Sequence, residues 1–229
     1  MLYSIQKPTV RANTIYDNGN HGIYLMNSFS AMIQNNIIYG HNISGIYLHE
    51  SFEVSTIVNN TLVNNNSYGI RSYPQGNAPP VISNCIVWNH VDDLNYCNAI
   101  YSCIKNETDS GQGIIHDYPG FIDEVNHNFR ISDNSPCRNN SNPDLNYDGQ
   151  FDIDNQPRVQ GGRVDIGADE IWHICDFDYS ERVNLAGFSI MASQWLMQSE
   201  DLSSDIAPPS GDDKVDMMDL KVFVQHWLN

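Results

Sequence analysis

Val10-Arg11-Ala12-Asn13-Thr14-Ile15, Ile33-Gln34-Asn35-Asn36-Ile37-Ile38, Ile57-Val58-Asn59-Asn60-Thr61-Leu62 and Val81-Ile82-Ser83-Asn84-Cys85-Ile86 are four copies of one segment. Their asparagines Asn13, Asn36, Asn60 and Asn84 recur at intervals of 23, 24 and 24 residues, and Gly22-Ile23-Tyr24, Gly45-Ile46-Tyr47 and Gly69-Ile70-Arg71 keep the same step. A period in the low twenties holds about three short strands and three turns, one coil of a parallel β-solenoid, and is too short for helical repeats of about 33 residues or more. The Ile, Val, Thr and Tyr content suits a pleated surface, and Asn, Gly and Ser punctuate the turns.

Coils stack about 4.8 Å apart, so each asparagine should meet its copy above and below and bond along the stack. Val10, Ile33, Ile57 and Val81, with Ile15, Ile38, Leu62 and Ile86, are then expected to line the interior. The recurring glycine is expected to supply a turn with positive φ. These residues resemble the right-handed parallel β-helix family, the pectate-lyase-like superfold, whose coils carry such an asparagine ladder. The resemblance implies that fold for about the first half of the chain, here residues 1–118.

The chain has 229 residues, 28 Asp and Glu against 11 Lys and Arg, and a net charge of −17. That balance argues against nucleic acid and anionic membranes as partners, and for cations. Apolar runs are too short to span a bilayer, so no membrane insertion is expected. The first residues lack a signal peptide, yet the repeat starts almost at once, which suggests the C-terminal part of a longer protein. Cys85, Cys97, Cys103, Cys137 and Cys175 form no CxxC pair; they read as buried thiols or as one disulfide among the first four.

Beyond Asn89 the period breaks. Asp117-Tyr118-Pro119-Gly120-Phe121-Ile122-Asp123, Asn128-Phe129-Arg130-Ile131, Asp152-Ile153-Asp154-Asn155-Gln156-Pro157-Arg158 and Gly161-Gly162-Arg163-Val164-Asp165-Ile166-Gly167-Ala168-Asp169-Glu170 follow. They resemble the C-terminal end of secreted bacterial β-helix proteins of planctomycete type. That likeness implies a cap over residues 119–172 and an extracellular or cell-surface location. Within it, Asp144, Asn146 and Asp148 alternate ahead of Gly149, the opening of a calcium loop, although Asn155 stands at the twelfth position. A solvated Asx-rich turn is the alternative.

Residues 173–229 change period from two to about 3.6. Phe188, Met191, Ala192, Trp195 and Leu196 fall on one helical face, and Leu220, Phe223, Val224, Trp227 and Leu228 on a second, as copies offset by 32 residues. Neither helix could bury its apolar face alone, so the two should pack together. Each follows an acidic loop, and the plan resembles a type I dockerin repeat, a duplicated half EF-hand. The resemblance implies Ca2+ and maps ligands onto Asp176, Asp178, Ser180, the Arg182 carbonyl and Asn184, with Gly187 where an acid would close the loop. In the second copy they map onto Asp205, Asp212, the Lys214 carbonyl, Asp216 and Asp219, its beginning expanded by Asp205-Ile206-Ala207-Pro208-Pro209-Ser210-Gly211; this second loop is the better candidate. A cohesin-like or cell-surface partner is the implied tether.

Enzymes on such a fold act on polysaccharides through clustered carboxylates, or carboxylates with an Arg or Lys. No two acids recur in register here. His49, Glu50 and Arg71 are the catalytic candidates, and Asp17, His21, His41 and Glu53 are further titratable groups. Tyr24, Tyr47 and Arg71 form the candidate substrate-binding column; the tyrosines either stack on sugars or stabilise the sheet. The fold expected is mainly β, a right-handed parallel β-helix with a C-terminal cap and a small helical dockerin-like domain. The function expected is polysaccharide binding or display, with a polysaccharide lyase or glycoside hydrolase, or a structural spacer, as alternatives.

Overall fold

The computed structural model describes residues 2–3, 7–27, 30–50, 53–73, 79–159, 163–172, 175–178, 180, 182–199, 202–207 and 212–227. The inserted Pro208–Gly211, the Gly161-Gly162 pair and Leu228 lie outside these.

The repeat winds up as expected, each copy giving three strands. The first level holds β1 (Leu2–Tyr3), β2 (Thr9–Arg11) and β3 (Thr14–Tyr16). The second holds β4 (His21–Met26), β5 (Met32–Gln34) and β6 (Ile37–Tyr39), and the third β7 (Ser44–His49), β8 (Thr56–Val58) and β9 (Thr61–Val63). Then come β10 (Tyr68–Tyr73), β11 (Val81–Ser83) and β12 (Ile86–Trp88), followed by β13 (Asp92–Asn95), β14 (Ala99–Ile100) and β15 (Cys103–Ile104). They assemble into three parallel five-stranded sheets, β1-β4-β7-β10-β13, β2-β5-β8-β11-β14 and β3-β6-β9-β12-β15. Ile23, Ile46 and Ile70, Ile33 and Ile57, and Ile38 and Leu62 stack through the interior with no more than 5% exposure, so one apolar core runs the length of the coil.

The asparagine ladder forms, but its fourth rung is not Asn84. Asn13 and Asn36 each direct the backbone N–H and the side-chain amide to the next asparagine's Oδ1 at 2.9–3.1 Å. Below Asn60 the partner is Cys85, whose thiol takes the rung's place: it donates to Ser83 O at 3.3 Å as Asn60 Nδ2 donates to Val58 O at 3.0 Å. Ser102 Oγ accepts from Cys85 N at 3.1 Å and continues the column. Asn84 instead occupies the left-handed position before the rung, with Ala12, Asn35, Asn59 and Tyr101 at the other levels, all at φ between 46° and 56°. One extra residue between Tyr73 and Val81 causes the slip, since Tyr73 pairs with His49 but Ile82 with Ile57. A one-residue slip reverses faces. Val81 is therefore half exposed, Ile82 and Val87 enter the core, and Ile86 faces the opposite way.

The recurring glycine also has a different cause. Gly22, Gly45 and Gly69 do not have positive φ; that conformation belongs to Gly40, Gly113, Gly120, Gly149 and Gly167. A Cβ on Gly45 would lie 2.8 Å from Leu62 Cδ2 and 2.9 Å from Gly69 O. The column is glycine because no space remains for a side chain.

Residues 105–117 close the end of the stack, where Ile104 N bonds Ile115 O at 2.9 Å and Ile114 packs on the core. The rest of the expected cap lies along the side instead of over the end. The antiparallel pair β16 (Phe121–Asp123) and β17 (Asn128–Ile131), with Ile166 and Ala168, covers the outer face of the third sheet at Ile37, Val63, Ile86 and Cys103. Gly167, at φ 118°, brings backbone against that sheet: Gly167 N bonds Asn84 O and Ala168 N bonds Thr61 Oγ1. Arg158, wholly buried, donates to Asn35 Oδ1 and to the carbonyls of Gly167 and Ala168 at 2.8–3.0 Å. Asp152 and Asp165 accept from the surrounding backbone N–H groups. The acidic motifs of this segment thus fasten the sidewall. All five cysteines are free and buried; the hydrogen bond with the Cys137 thiol, followed by burial, raises the Cys103 pKa.

The solenoid and its sidewall, through Ile171, form one compact unit, and the chain from Trp172 forms a second. In the second, α1 (Leu185–Ser193) and α2 (Met217–Trp227) pack through Phe188 against Phe223 and Trp227, with Cys175, Phe177, Met191 and Val215 buried between. Helix α1 is shorter than its apolar pattern: Trp195 and Leu196 follow it, and Leu196 at φ 59° points outward and bonds Val215 O through its N–H.

Candidate functional site

Parallel pairing in register turns a sequence column into a surface row. Tyr24, Tyr47, Arg71 and Asn95 are cross-strand neighbours on β4, β7, β10 and β13. Beside them run His21, Ser44, Tyr68 and Asp92, and Met26, His49 and Tyr73.

The tyrosines meet each other before they meet anything else. Tyr24 and Tyr47 stack at 5.2 Å and 15°, and the Arg71 guanidinium lies 5.1 Å from the Tyr47 ring and 4.8 Å from that of Tyr68. Their faces are therefore largely taken, which leaves edges, hydroxyls, imidazoles and the guanidinium along the sheet. The more exposed rings are Tyr73 and Tyr96, 39% and 65% accessible and set edge-to-face at 6.3 Å. Sequence reasoning passed over both; the signal was Tyr73 in step with His49.

His49 links the candidates. Its Nδ1 lies 3.2 Å from the Tyr24 hydroxyl and its Nε2 3.9 Å from Glu50 Oε1. Arg71 is held by the aromatic rings of Tyr47 and Tyr68. Burial, followed by the positive charge of Arg71, lowers the His21 pKa, so His21 is neutral at pH 7. Among the described residues, several buried polar atoms without a hydrogen-bond partner sit on this sheet: His21 Nδ1, Ser44 Oγ, Arg71 Nε and Asn95 Oδ1. Such atoms are costly in a finished surface. Of the other titratable groups, His41 is fully buried away from this face, and Glu53 accepts from the Ser30 hydroxyl.

The proposed metal ligands divide by loop. In the first helical loop the oxygens converge: Ser180 Oγ is 2.9 Å from Asp178 Oδ1, 3.3 Å from Asp176 Oδ1 and 3.4 Å from Arg182 O, and Asn184 Nδ2 reaches Ser180 Oγ and Arg182 O. Two carboxylates, a hydroxyl and a carbonyl form a hard-oxygen set that fits calcium. Asn184 Oδ1 is committed to capping α1 through the N–H groups of Ala186 and Gly187. Gly187 faces the loop, and a Cβ there would lie 3.8 Å from Asp178 Oδ1.

In the second loop the carboxylates already have backbone donors. Asp219 Oδ1 accepts from Ile206 N and Ala207 N at 2.7 and 2.8 Å, and Oδ2 from Asp216 N at 2.7 Å, while Asp216 caps Met218 N. This reciprocal pair is a capping box. Asp205 accepts from Asp212 N and Asp213 N, and Lys214 pairs with Gln198. The side-chain and carbonyl oxygens of the first loop lie close to one another, whereas those of the second are bonded to backbone N–H groups.

At Asp144–Asp148 the donors fold back on their own backbone. Asn142 Oδ1 accepts from Asp144 N, and Asn146 Oδ1 from Asp148 N, as successive Asx turns with the acids exposed. Among the described residues no three His, Cys, Asp or Glu side chains gather around one point, and no helix is long and apolar enough to cross a membrane. An apolar groove of about 410 Å3, lined by Phe188, Ala192, Trp195 and Leu220, opens on the helical pair.

A family model described as the right-handed beta helix region matches residues 1–117. No curated protein and no solved structure matches the chain.

Proposed function

The chain belongs to the right-handed β-helix family, and from that premise we propose that it binds an extended polysaccharide, outside the cell, on the outer face of the β1-β4-β7-β10-β13 sheet. One observation carries the reading: Tyr24, Tyr47, His49 and Arg71, all partly exposed, and the exposed Tyr73 line up in register across neighbouring strands of one sheet. A sugar chain running along the coil axis presents hydroxyls to successive levels, where the tyrosine hydroxyls, the His49 imidazole and the Arg71 guanidinium would meet them. Tyr73 and Tyr96 supply open rings for its apolar faces. The helical unit acts as the tether, with a calcium ion held by Asp176, Asp178, Ser180 and the Arg182 carbonyl and a cohesin-like or cell-surface partner as its target. The convergent oxygens of the first loop support the ion, and the apolar groove beside Trp195 supports a partner.

Affinity electrophoresis of the full chain against a panel of plant and bacterial polysaccharides tests the binding. Retardation by at least one polysaccharide, lost in Arg71→Ala and Tyr96→Ala and kept in Tyr16→Ala on another sheet, is the expected result. Equal mobility in every gel would refute the proposal.

The contact of Tyr24 and Glu50 with His49 favours a second reading, acid–base cleavage of the bound chain with Arg71 stabilising developing negative charge. Release of new reducing ends or unsaturated sugar ends, abolished by His49→Ala while binding persists, would establish it. Binding without release would leave the display role.

A further inference from the structure

The third sheet and the sidewall each bring one thiol to the same buried spot. Cys103 stands on β15, the last strand of that sheet, and pairs in parallel with Ile86 of β12. Cys137 follows β17 in the sidewall, where its carbonyl accepts from Ile166 N at 2.9 Å. The next residue, Gly167, donates to Asn84 O and so ties that turn close to the start of β12. The two routes meet: the thiols of Cys103 and Cys137 share a hydrogen bond, and both residues are fully buried in the apolar cluster of Ile86, Phe129, Ile131 and Ile166. The other three cysteines are placed differently. Cys85 and Cys97 belong to the core of the coil, where their thiols donate to Ser83 O at 3.3 Å and Ile70 O at 3.6 Å, and Cys175 lies in the second compact unit.

We propose that Cys103 and Cys137 are joined by a disulfide in the mature chain, a covalent staple that fixes the sidewall to the third sheet. Two thiols that touch from facing elements already meet the directional demand of the bond. Each sulfur gives up one proton and one electron as the S–S bond forms. A small-molecule disulfide such as oxidised glutathione takes up both protons and both electrons as its own S–S bond breaks to two thiols. Such exchange needs a thiolate within reach of the oxidant. In the folded chain neither sulfur is exposed, and the contact with Cys137 together with burial raises the Cys103 pKa. The bond therefore forms before the sidewall is seated, and the same apolar cluster then shields it from reductants. It closes a loop of about 34 residues, which restricts the unfolded chain. The supply of oxidant rests on the extracellular location proposed above; the test below supplies its own, so its outcome is independent of polysaccharide binding.

The full chain is refolded from denaturant in a buffer of oxidised and reduced glutathione, alkylated under denaturing conditions and mapped without reduction. Chymotrypsin cuts after Trp88, Tyr96 and Tyr101 and so separates Cys85, Cys97 and Cys103. One linked pair that joins the peptides of Cys103 and Cys137, with Cys85, Cys97 and Cys175 alkylated, is the expected result. Five alkylated cysteines, or a link through any other cysteine, would overturn the proposal. The linked chain should also melt about 5 °C or more above the reduced chain, and Cys137→Ala should abolish that difference. A linked chain that melts no higher than the reduced one, or a difference that persists in Cys137→Ala, would refute the staple.

Discussion

Asn60 and Asn84 look interchangeable in the repeat and do different work. Asn60 Nδ2 donates to Ile33 O and Val58 O inside the coil, whereas Asn84 bonds the Tyr147 hydroxyl and Asn142 N of the sidewall. Asn60→Ala leaves buried ladder groups unsatisfied and should cost about 1–3 kcal/mol in denaturant unfolding. Gly45→Ala forces a Cβ to within 3 Å of Leu62 and Gly69 O and should cost about as much through overpacking. At this scale the sequence announces a residue's recurrence but not its role. Asparagine serves both as a ladder amide and as a left-handed backbone residue, so when Cys85 took over the rung the surviving Asn84 drew the alignment one place out.

The sheets were legible because their period, residue types and parallel pairing agree at every level. The helices were legible in number and pairing but not in length. Apolar spacing continues through Trp195 and Leu196, while the bond from Leu196 N to Val215 O takes that segment out of α1. The two helix starts also differ in a way the duplication conceals. Helix α2 has its capping box from Asp216 and Asp219; α1 has Asn184 but Gly187 where the reciprocal acid belongs. Asp219→Ala should therefore lower thermal stability with or without calcium, by about 1–2 kcal/mol. Gly187→Asp should raise it by about 1 kcal/mol, and by more on adding calcium, because the new carboxylate joins Asp176 and Asp178. Melting curves with calcium and with chelator check both; a Gly187→Asp variant indifferent to calcium would remove the first loop from the account.

Taken whole, the first compact unit is a coil with a charged sidewall, and the sidewall shapes its pH response. In the sidewall, burial raises Asp169 to about 7, offset in part by Arg130, and also raises Glu170 beside the buried Arg158. Carboxyls raised on folding hold protons that the unfolded chain has released, so their contribution declines as pH rises from about 4 through 7. The sidewall therefore loosens on the alkaline side. Asp169→Asn should flatten the alkaline decline of the melting temperature and leave the acid limb unchanged. What the sequence could not reveal at this scale is which surface stays open. The third sheet is covered on its outer face at Ile37, Val63, Ile86 and Cys103 by β16, β17, Ile166 and Ala168, and the first sheet leaves Tyr24, Tyr47 and His49 partly exposed and Tyr73 exposed. Hydroxyl-radical footprinting of the full chain, with and without the polysaccharide that retards it most, tests that assignment most directly. The account predicts protection of Tyr47, His49, Tyr73 and Tyr96 with Tyr16 and Tyr118 unchanged; protection at Tyr16 or Tyr118, or none on the first sheet, would contradict it.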